Sequence, residues 1–256
     1  ADAAGLRFVH FNGMSGQFYF PEIMPPGVGL LDYDNDGDLD VFLVQGDMIG
    51  PGKTLSDALI KPVESLPLRS RLYRNDLQVS ADGMRTLRFT DVTEQSGIDA
   101  RGYGMGVATA DIDNDGASDV YVTNYGPNRL YRNLGDGRFA DVAVRAGVAV
   151  DSWSTGCAFG DYDGDGWLDL YVASYVEFDV RNPPPSPARR QVSPADAAPQ
   201  TAGGMGAAYS AGAAYCSYRG LPVMCGPRGL RGAADHLFRN NRDGTFTNVL
   251  SFVVPH

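Results

Sequence analysis

The chain has 256 residues, of which 43% are hydrophobic, and its formal net charge is -10 at pH 7. This length can supply a sizeable core, and 32 Gly with 16 Pro suit a turn-rich all-β protein. The negative charge, without a long stripe of Lys and Arg, argues against nucleic acid as a partner. No apolar run is long enough to form a transmembrane segment.

The first predicted element is a short strand at 6–10, with the sequence LRFVH. It resembles the last strand of the repeating units that follow, separated from any first three strands of its own. In ring-shaped repeat folds such a strand commonly closes the ring. We therefore expect residues 6–10 to form an N-terminal closing strand.

The next feature is a nine-residue acidic phrase, Asp-x-Asp-x-Asp-Gly-x-x-Asp, which begins at Asp32 and recurs at Asp111 and Asp161. Carboxylates this close repel one another unless a cation lies between them, and Ca2+ prefers roughly six to eight oxygen ligands. A solvated turn needs only one or two such residues and no fixed repeat. The sequence therefore predicts three calcium sites. The predicted ligands are Asp32, Asp34, Asp36, Asp38 and Asp40 in the first loop, Asp111, Asp113, Asp115, Ala117 and Asp119 in the second, and Asp161, Asp163, Asp165, Trp167 and Asp169 in the third.

Comparison of the three copies indicates what each loop position does. The seventh position is Asp38, Ala117 or Trp167, so we expect it to contribute its backbone carbonyl. The sixth is always Gly, which permits a turn that other residues resist, and the fourth is Asn or Gly, which tolerate left-handed backbone geometry. An EF-hand would have Glu at the twelfth position, on a helix. Here the twelfth residues lie in β-branched runs that predict strands; they are Leu43, Val122 and Val172.

The residues around each loop repeat as well. A Gly precedes each first Asp by five residues, and this alignment places Cys157 on the positions of Val28 and Val107, so Cys157 is expected to be a small buried hydrophobe. Downstream, the phrase Leu-Tyr-Arg-Asn or Leu-Phe-Arg-Asn leads into an Asp-Gly hairpin signal in two of the units. Four antiparallel strands in repeats of roughly 40 to 50 residues are typical of a β-propeller blade. We predict one all-β domain over 1–256, a partial β-propeller with three four-stranded blades at about 27–92, 105–143 and 156–249.

Residues 181–215, inside the third unit, are rich in Pro, Ala and Gly. Such a composition cannot bury enough apolar surface to fold alone, which predicts a long loop insertion. Two interpretations stay open, a binding loop on a rigid scaffold and a tolerated insertion.

The loops, each with its preceding Gly-x-x-x-x-Asp strand, resemble FG-GAP or VCBS repeats, the blades of the integrin α-subunit propeller. More narrowly, the segments 102–107, 124–133 and 216–227 are similar to the bacterial cartilage-acidic-protein-like family, labelled CRTAC or ASPIC/UnbV. This resemblance covers nearly the whole chain. It implies a secreted, calcium-bound β-propeller with no established catalytic activity.

A ring needs about four to eight blades, more than the three predicted here. An open half-ring exposes unpaired strand edges, which proteins seldom leave uncovered. The chain is therefore expected to be part of a larger polypeptide, or to have a propeller completed by a protein partner or by self-association.

Export is the expected location. The chain begins at Ala1 without Met, as a mature chain would after signal removal, and loops of this type suit extracellular calcium concentrations. Cys216 and Cys225 flank a turn-like segment, so we expect a disulfide, with two free thiols as the alternative. Together these features favour a secreted, periplasmic or cell-surface protein.

Catalytic motifs do not stand out in this sequence. None of the three His residues lies in a pattern that indicates a catalytic role, and no Ser, Cys or Asp falls in a recognisable nucleophile-elbow or triad motif. The leading hypothesis is a non-catalytic module for protein interaction or scaffolding, for example as an accessory subunit of a larger complex. The alternatives are a hydrolase or lyase acting on extracellular polymers, and a carbohydrate or matrix adhesin that binds through 181–215.

Overall fold

The computed structural model describes residues 2–63, 67–181, 208–209, 216–218, 221–223 and 230–250. Their regular structure is dominated by antiparallel strands, and the fold is all-β and β-propeller-like, as predicted. Within these ranges no helix has the length and apolar character needed to cross a membrane.

Unit 1 is a four-stranded antiparallel sheet. Its strands are β1 (Val28–Leu31), β2 (Asp40–Leu43), β3 (Arg71–Asn75) and β6 (Phe89–Asp91), and a separate hairpin between β3 and β6 consists of β4 (Gln78–Val79) and β5 (Arg85–Thr86). The strand order is β1-β2-β3-β6, and the first acidic loop connects β1 to β2. A short helix, α1 (Thr93–Ser96), leads to the next unit.

Units 2 and 3 repeat this order. Unit 2 contains β7 (Tyr103–Ala110), β8 (Asp119–Pro127), β9 (Arg129–Asn133) and β10 (Phe139–Asp141), followed by α2 (Ala143–Ala146). Unit 3 contains β11 (Asp151–Gly160) and β12 (Asp169–Ser174), then a separate small sheet of β13 (Ala208–Tyr209), β14 (Cys216–Tyr218) and β15 (Leu221–Val223), and finally β16 (His236–Asn240) and β17 (Phe246–Asn248). The second and third acidic loops connect β7 to β8 and β11 to β12, at the position of the first loop in unit 1.

The hydrophobic core lies between the units. Alternate residues of a strand point to opposite faces of its sheet, so β8 can serve two neighbours. Val120 and Val122 pack with Phe42 of unit 1, whereas Tyr121 packs with Leu170 of unit 3. Unit 2 is thus covered on both faces, and β8 also pairs directly with β11 over residues 125–127 and 151–153.

The predicted closing strand at 6–10 is wrong. The described residues before β1 form short 3-10 helices, at Asp2–Ala4 and Phe20–Ile23, and no strand. A third such helix spans Leu55–Asp57. A strand needs a neighbouring strand, but here side chains bind the backbone: the Tyr73 hydroxyl donates to the Arg7 carbonyl and the Gln45 amide donates to the Val9 carbonyl.

The amino-terminal segment instead resembles the connections between units. Both α1 and α2 end at a left-handed glycine, Gly97 and Gly147, and the first 3-10 helix is followed by Gly5 at φ 86°. A Cβ added to each of these glycines would meet the backbone oxygen of a Phe in the next unit, Phe139, Phe246 or Phe89. Residues 2–5 therefore occupy the place of a connector that precedes unit 1.

Two predictions concern residues outside the described ranges. The predicted disulfide involves Cys225 and the side chain of Cys216, and neither is described. The predicted loop at 181–215 is described only at Arg181 and at the two residues of β13.

Candidate metal centre

The three acidic loops take the same backbone turn. In each loop the fourth and sixth positions have positive φ, which confirms the predicted left-handed geometry. The φ angles are 59° at Asn35, 56° at Asn114 and 74° at Gly164 for the fourth position, and 89° at Gly37, 88° at Gly116 and 85° at Gly166 for the sixth.

The first Asp of each loop holds the turn together. The Asp32 carboxylate accepts hydrogen bonds from the amides of Asp36 and Gly37, at 3.1 and 2.9 Å. Asp111 and Asp161 accept from the corresponding amides of their own loops. This folding brings the side chains of the alternate Asp residues to one side of the turn.

The turn gathers three carboxylates in each loop. In each group one oxygen of every carboxylate lies within 4.8 Å of the others, and the groups are Asp32, Asp34 and Asp36; Asp111, Asp113 and Asp115; and Asp161, Asp163 and Asp169. Such an all-oxygen set is the donor type that Ca2+ prefers, so these residues fit the predicted ion. The crowding has an electrostatic effect in the first loop, because partial burial and then the charge of Asp36 raise the pKa of Asp34.

The ninth position of each loop has a role that the sequence did not reveal. Asp40 is fully buried, and its two oxygens accept the amides of Tyr33 at 2.9 Å and Asn75 at 2.8 Å. Asp119 and Asp169 make the same two hydrogen bonds in units 2 and 3. Burial raises the pKa of Asp40 to about 6 and that of Asp119 to about 7, although these hydrogen bonds oppose the shift. Each carboxylate oxygen has two lone pairs, so this Asp can lock the loop onto the third strand and still offer an oxygen to a cation.

The predicted ligands at the seventh position do not join the carboxylate groups through their side chains. The backbone amides of these residues donate instead to the carboxylate at the fifth position of the same loop, Asp36, Asp115 or Asp165, each at 2.9 Å. Their predicted contribution is the backbone carbonyl, which these contacts leave available.

Arginine side chains lie beside two of the loops. Arg132, from the repeated Leu-Tyr-Arg-Asn phrase, contacts Asp113 and lies 3.0 Å from Asp115. In unit 3 the neighbour of Asp165 is Arg242, whose guanidinium is 2.6 Å away. Arg242 comes from the hairpin turn and not from the repeated phrase, so the sequence pattern gave no signal for it. Each guanidinium offsets part of the carboxylate repulsion.

The Asn of the repeated phrase connects successive loops. The Asn133 amide donates to the carbonyl of Ser118 in its own loop and to that of Tyr33 in the loop of unit 1, at 3.2 and 2.8 Å. Asn240 makes the matching pair of hydrogen bonds to Leu168 and to Ile112 of unit 2. These hydrogen bonds therefore connect the backbone of each of these two loops to that of the preceding loop.

Cys157 is half-buried and packs against the core between units 2 and 3, so it is less enclosed than the alignment of the repeats predicted. Burial raises the pKa of its thiol to about 12. A thiol with this pKa is a poor nucleophile near neutral pH.

A cavity of about 650 Å³ lies at the opposite end of the strands from the acidic loops. Tyr125, Trp153 and Phe178 contribute aromatic walls, and Asp151 and Asp179 are among the polar residues that line it. These rings meet edge to face, with centroids 5.9 to 6.3 Å apart.

Comparison with known families supports the repeat type. Residues 111–172, which contain the second and third acidic loops, match a family described as FG-GAP-like repeat. Together with the sheet topology, this match supports an FG-GAP-like repeat type within a β-propeller-like fold. A search of curated proteins finds no match to the chain.

Proposed function

We propose that the chain is an exported, calcium-binding β-propeller module of the FG-GAP type that serves protein interaction or scaffolding and has no catalytic activity. The three units would be blades of one domain, at about 27–92, 105–143 and 156–249, and the narrower relationship would be to the cartilage-acidic-protein-like family. Secretion, or a place in the periplasm or at the cell surface, follows from the need of such loops for abundant calcium.

The observation that carries this proposal is a carboxylate cluster in every acidic loop, built from the first, third and fifth positions in the first two loops and from Asp161, Asp163 and Asp169 in the third. Three loops in different units gather three carboxylates each within 4.8 Å. This arrangement is costly without a cation, and a side chain copied into every unit more often supports structure than catalysis. The hydrogen bonds from Asn133 and Asn240 then support a structural role for calcium, because they tie the second loop to unit 1 and the third loop to unit 2.

Terbium luminescence tests calcium binding at the third loop. Tb3+ is a calcium analogue that is sensitised by a nearby indole, and Trp167 occupies the seventh position of that loop. We expect Tb3+ emission on excitation of the wild-type protein, competed by Ca2+. Trp167→Phe should lose most of the emission, whereas Trp153→Phe should retain it. Absence of emission from the wild-type protein would contradict binding at this loop.

The absence of catalysis is part of the proposal and has its own support. The Cys157 thiol is held in its neutral form by burial, and the loop carboxylates accept backbone amides. The alternative, a hydrolase or lyase that acts on extracellular polymers, predicts release of fragments from polysaccharides or proteins. Turnover that survives chelation and repurification, and that a surface substitution such as Val144→Glu leaves intact, would favour the enzyme.

Carbohydrate adhesion is a second candidate function, favoured by the aromatic cavity. Aromatic rings can pack against the apolar face of a sugar, and the carboxylates of Asp151 and Asp179 can accept its hydroxyl groups. An array of defined oligosaccharides would identify a ligand, and Asp151→Asn should weaken its binding about tenfold. Unchanged binding by that variant would place the sugar elsewhere.

A further inference from the structure

The contact between successive units is built in the same way twice. We call the face of a unit that contacts the preceding unit its front face, and the opposite face its rear face. On the front face of unit 2, Val107 and Thr109 lie against Gly29 of unit 1, and the Thr109 hydroxyl donates to the Leu30 carbonyl at 3.0 Å. On the front face of unit 3, the corresponding residues Cys157 and Phe159 lie against Tyr121 of unit 2.

The rear faces of units 1 and 2 are buried in these contacts. The second loop position and the third residue of the following strand are covered in both units: Tyr33 and Phe42 are 7% and 0% exposed, and Ile112 and Tyr121 are 4% and 0% exposed. The same positions in unit 3 are Tyr162 and Tyr171, which are 51% and 39% exposed. The rear face of unit 3 therefore presents two large aromatic side chains at positions that the other units bury.

The front face of unit 1 is uncovered in the same sense. Its residues Val28 and Leu30, which correspond to Val107 and Thr109, are 60% and 55% exposed. The two ends of the series thus expose the two halves of one apolar contact.

The glycine that lies five residues before each acidic loop also supports a further contact, because it marks how closely neighbouring units approach. A Cβ on Gly27 would lie 2.9 Å from Gly106 Cα, and a Cβ on Gly106 would lie 2.8 Å from the Thr155 carbonyl oxygen, so the strands approach closely at both places. The third glycine of this series, Gly156, has nothing within 4 Å of a Cβ built on it. Gly156 therefore leaves room for a closely packed strand, like those that already contact Gly27 and Gly106.

Hydrogen-bonding groups match across the same two faces. Asn133 and Asn240 each donate to the second-position carbonyl of the preceding loop, whereas Asn75 donates, within the described structure, to the Leu39 carbonyl alone. The Tyr162 carbonyl is the acceptor that an Asn75 from another molecule would meet if the series continued.

We propose that the rear face of unit 3 binds the front face of unit 1 of a second copy of this chain. The contact is head to tail, so two copies can close on each other or further copies can add. This inference rests on the propeller architecture proposed above and names the chain itself as the protein partner. Two observations support this proposal. The contact would repeat the two existing unit-to-unit contacts, and apolar residues are exposed on both the front face of unit 1 and the rear face of unit 3.

Sedimentation equilibrium in calcium tests the proposal on the intact chain. We expect the average mass to rise with concentration above the 27.4 kDa of one chain. Leu30→Glu blocks a front face and Tyr171→Glu blocks a rear face, so each should weaken association by about tenfold or more. Val144→Glu, on an 81% exposed residue of α2 away from both faces, is the matched control and should associate like the wild type.

Mixing the two blocked variants gives the sharpest result. Each should be a monomer alone, but an equimolar mixture should form a 1:1 complex, because one intact front face and one intact rear face remain. A wild-type protein that stays monomeric, or blocked variants that associate as well as the control, would overturn the proposal. Thermal melts in calcium and in chelator confirm that each variant is folded, and they report calcium binding independently of association.

Discussion

At the scale of single residues, the carboxylates of each acidic loop divide between two structural environments. In the first two loops the first, third and fifth positions are half-buried or exposed around the proposed ion, as at Asp32, Asp34 and Asp36, whereas in the third loop Asp169 joins Asp161 and Asp163. The ninth position is buried and bonded to two backbone amides, as at Asp40. Removing a carboxylate from the first group should therefore affect the ion, whereas removing the ninth should also affect the fold.

Two substitutions in the first loop distinguish a residue that binds calcium through its side chain, Asp36, from one predicted to bind it through its backbone carbonyl, Asp38. Asp36→Asn removes a carboxylate charge from the cluster, so we expect the calcium stoichiometry to fall from three to two. Asp38→Asn changes a side chain that the other two loops replace with Ala and Trp, so three ions should still bind. Isothermal titration calorimetry measures both, and equal losses in the two variants would show that the seventh side chain is a ligand.

The bridging Asn residues provide a stability prediction. Asn133→Ala deletes two donated hydrogen bonds and the one its oxygen accepts from Gly135, and we expect about 2 to 3 kcal/mol of destabilisation. Asn75→Ala, which deletes a single hydrogen bond within its own unit, should cost about 1 kcal/mol or less. Urea denaturation of dilute protein in calcium compares them, and a similar loss in both would count against a special role for the link between loops.

A buried carboxyl outside the loops gives a pH prediction. Glu22 is 1% exposed, and burial raises its pKa although Ser15 donates two hydrogen bonds to one of its oxygens. A raised pKa in the folded state means that the folded protein holds this proton more tightly than the unfolded chain does. The stability contributed by the protonated form is present below the unfolded pKa and is lost as pH rises through the folded value.

Glu22→Gln should remove the loss of stability that ionisation of Glu22 causes at high pH. The Gln side chain carries no charge, and its amide oxygen can still accept hydrogen bonds from Ser15. We expect the variant to be more stable than the wild type at pH 8 by about 1 kcal/mol, and to have no advantage at pH 4. Unfolding free energies at both pH values test this. A constant difference across the range would exclude titration of Glu22 as the cause.

At the scale of elements, the first strands of units 2 and 3, β7 and β11, approach each other closely at Gly106. Gly106→Ala would place a methyl group 2.8 Å from the Thr155 carbonyl oxygen and 2.9 Å from the Thr123 hydroxyl, and overpacking of this kind costs about 1 to 3 kcal/mol. Gly156→Ala meets nothing within 4 Å and should change the stability by about 0.5 kcal/mol or less. Chemical denaturation of dilute protein compares the two, and equal effects would contradict close packing at Gly106.

The elements that the sequence could predict are those whose signals are local. The nine-residue phrase contains its own turn, so the positive φ angles at Asn35 and Gly37 followed from residue type and spacing alone. The strands around the loops were likewise visible as β-branched runs. The four-residue helices α1 and α2 were missed, because a single turn is too short to produce a periodic pattern.

The errors and omissions arise where structure depends on distant partners. Residues 6–10 resemble the last strand of a unit in sequence, but the Gln45 and Tyr73 side chains bind their backbone instead of a second strand. The hydrogen bond from Asn133 to Tyr33 spans 100 residues, so no local pattern announces it. The lock formed by Asp40 is hidden for the same reason, because its second partner, Asn75, is 35 residues away.

At the scale of the whole molecule, we expect each calcium ion to stabilise the contacts between units as well as its own loop. Each proposed ion lies in a loop that is bonded to the third strand of its own unit, and two loops are bonded to the Asn of the next unit. Loss of the ions should therefore loosen the contacts between units, where the hydrophobic core lies. Binding to the folded state alone stabilises a protein by about 2.7 kcal/mol per site at a hundredfold excess over the dissociation constant.

Differential scanning calorimetry in calcium and in chelator tests this claim most directly. We expect calcium to raise the melting temperature, the rise to grow with calcium concentration, and the chelated protein to unfold over a broader range as its units separate. A melting temperature that is the same in calcium and in chelator would contradict the account.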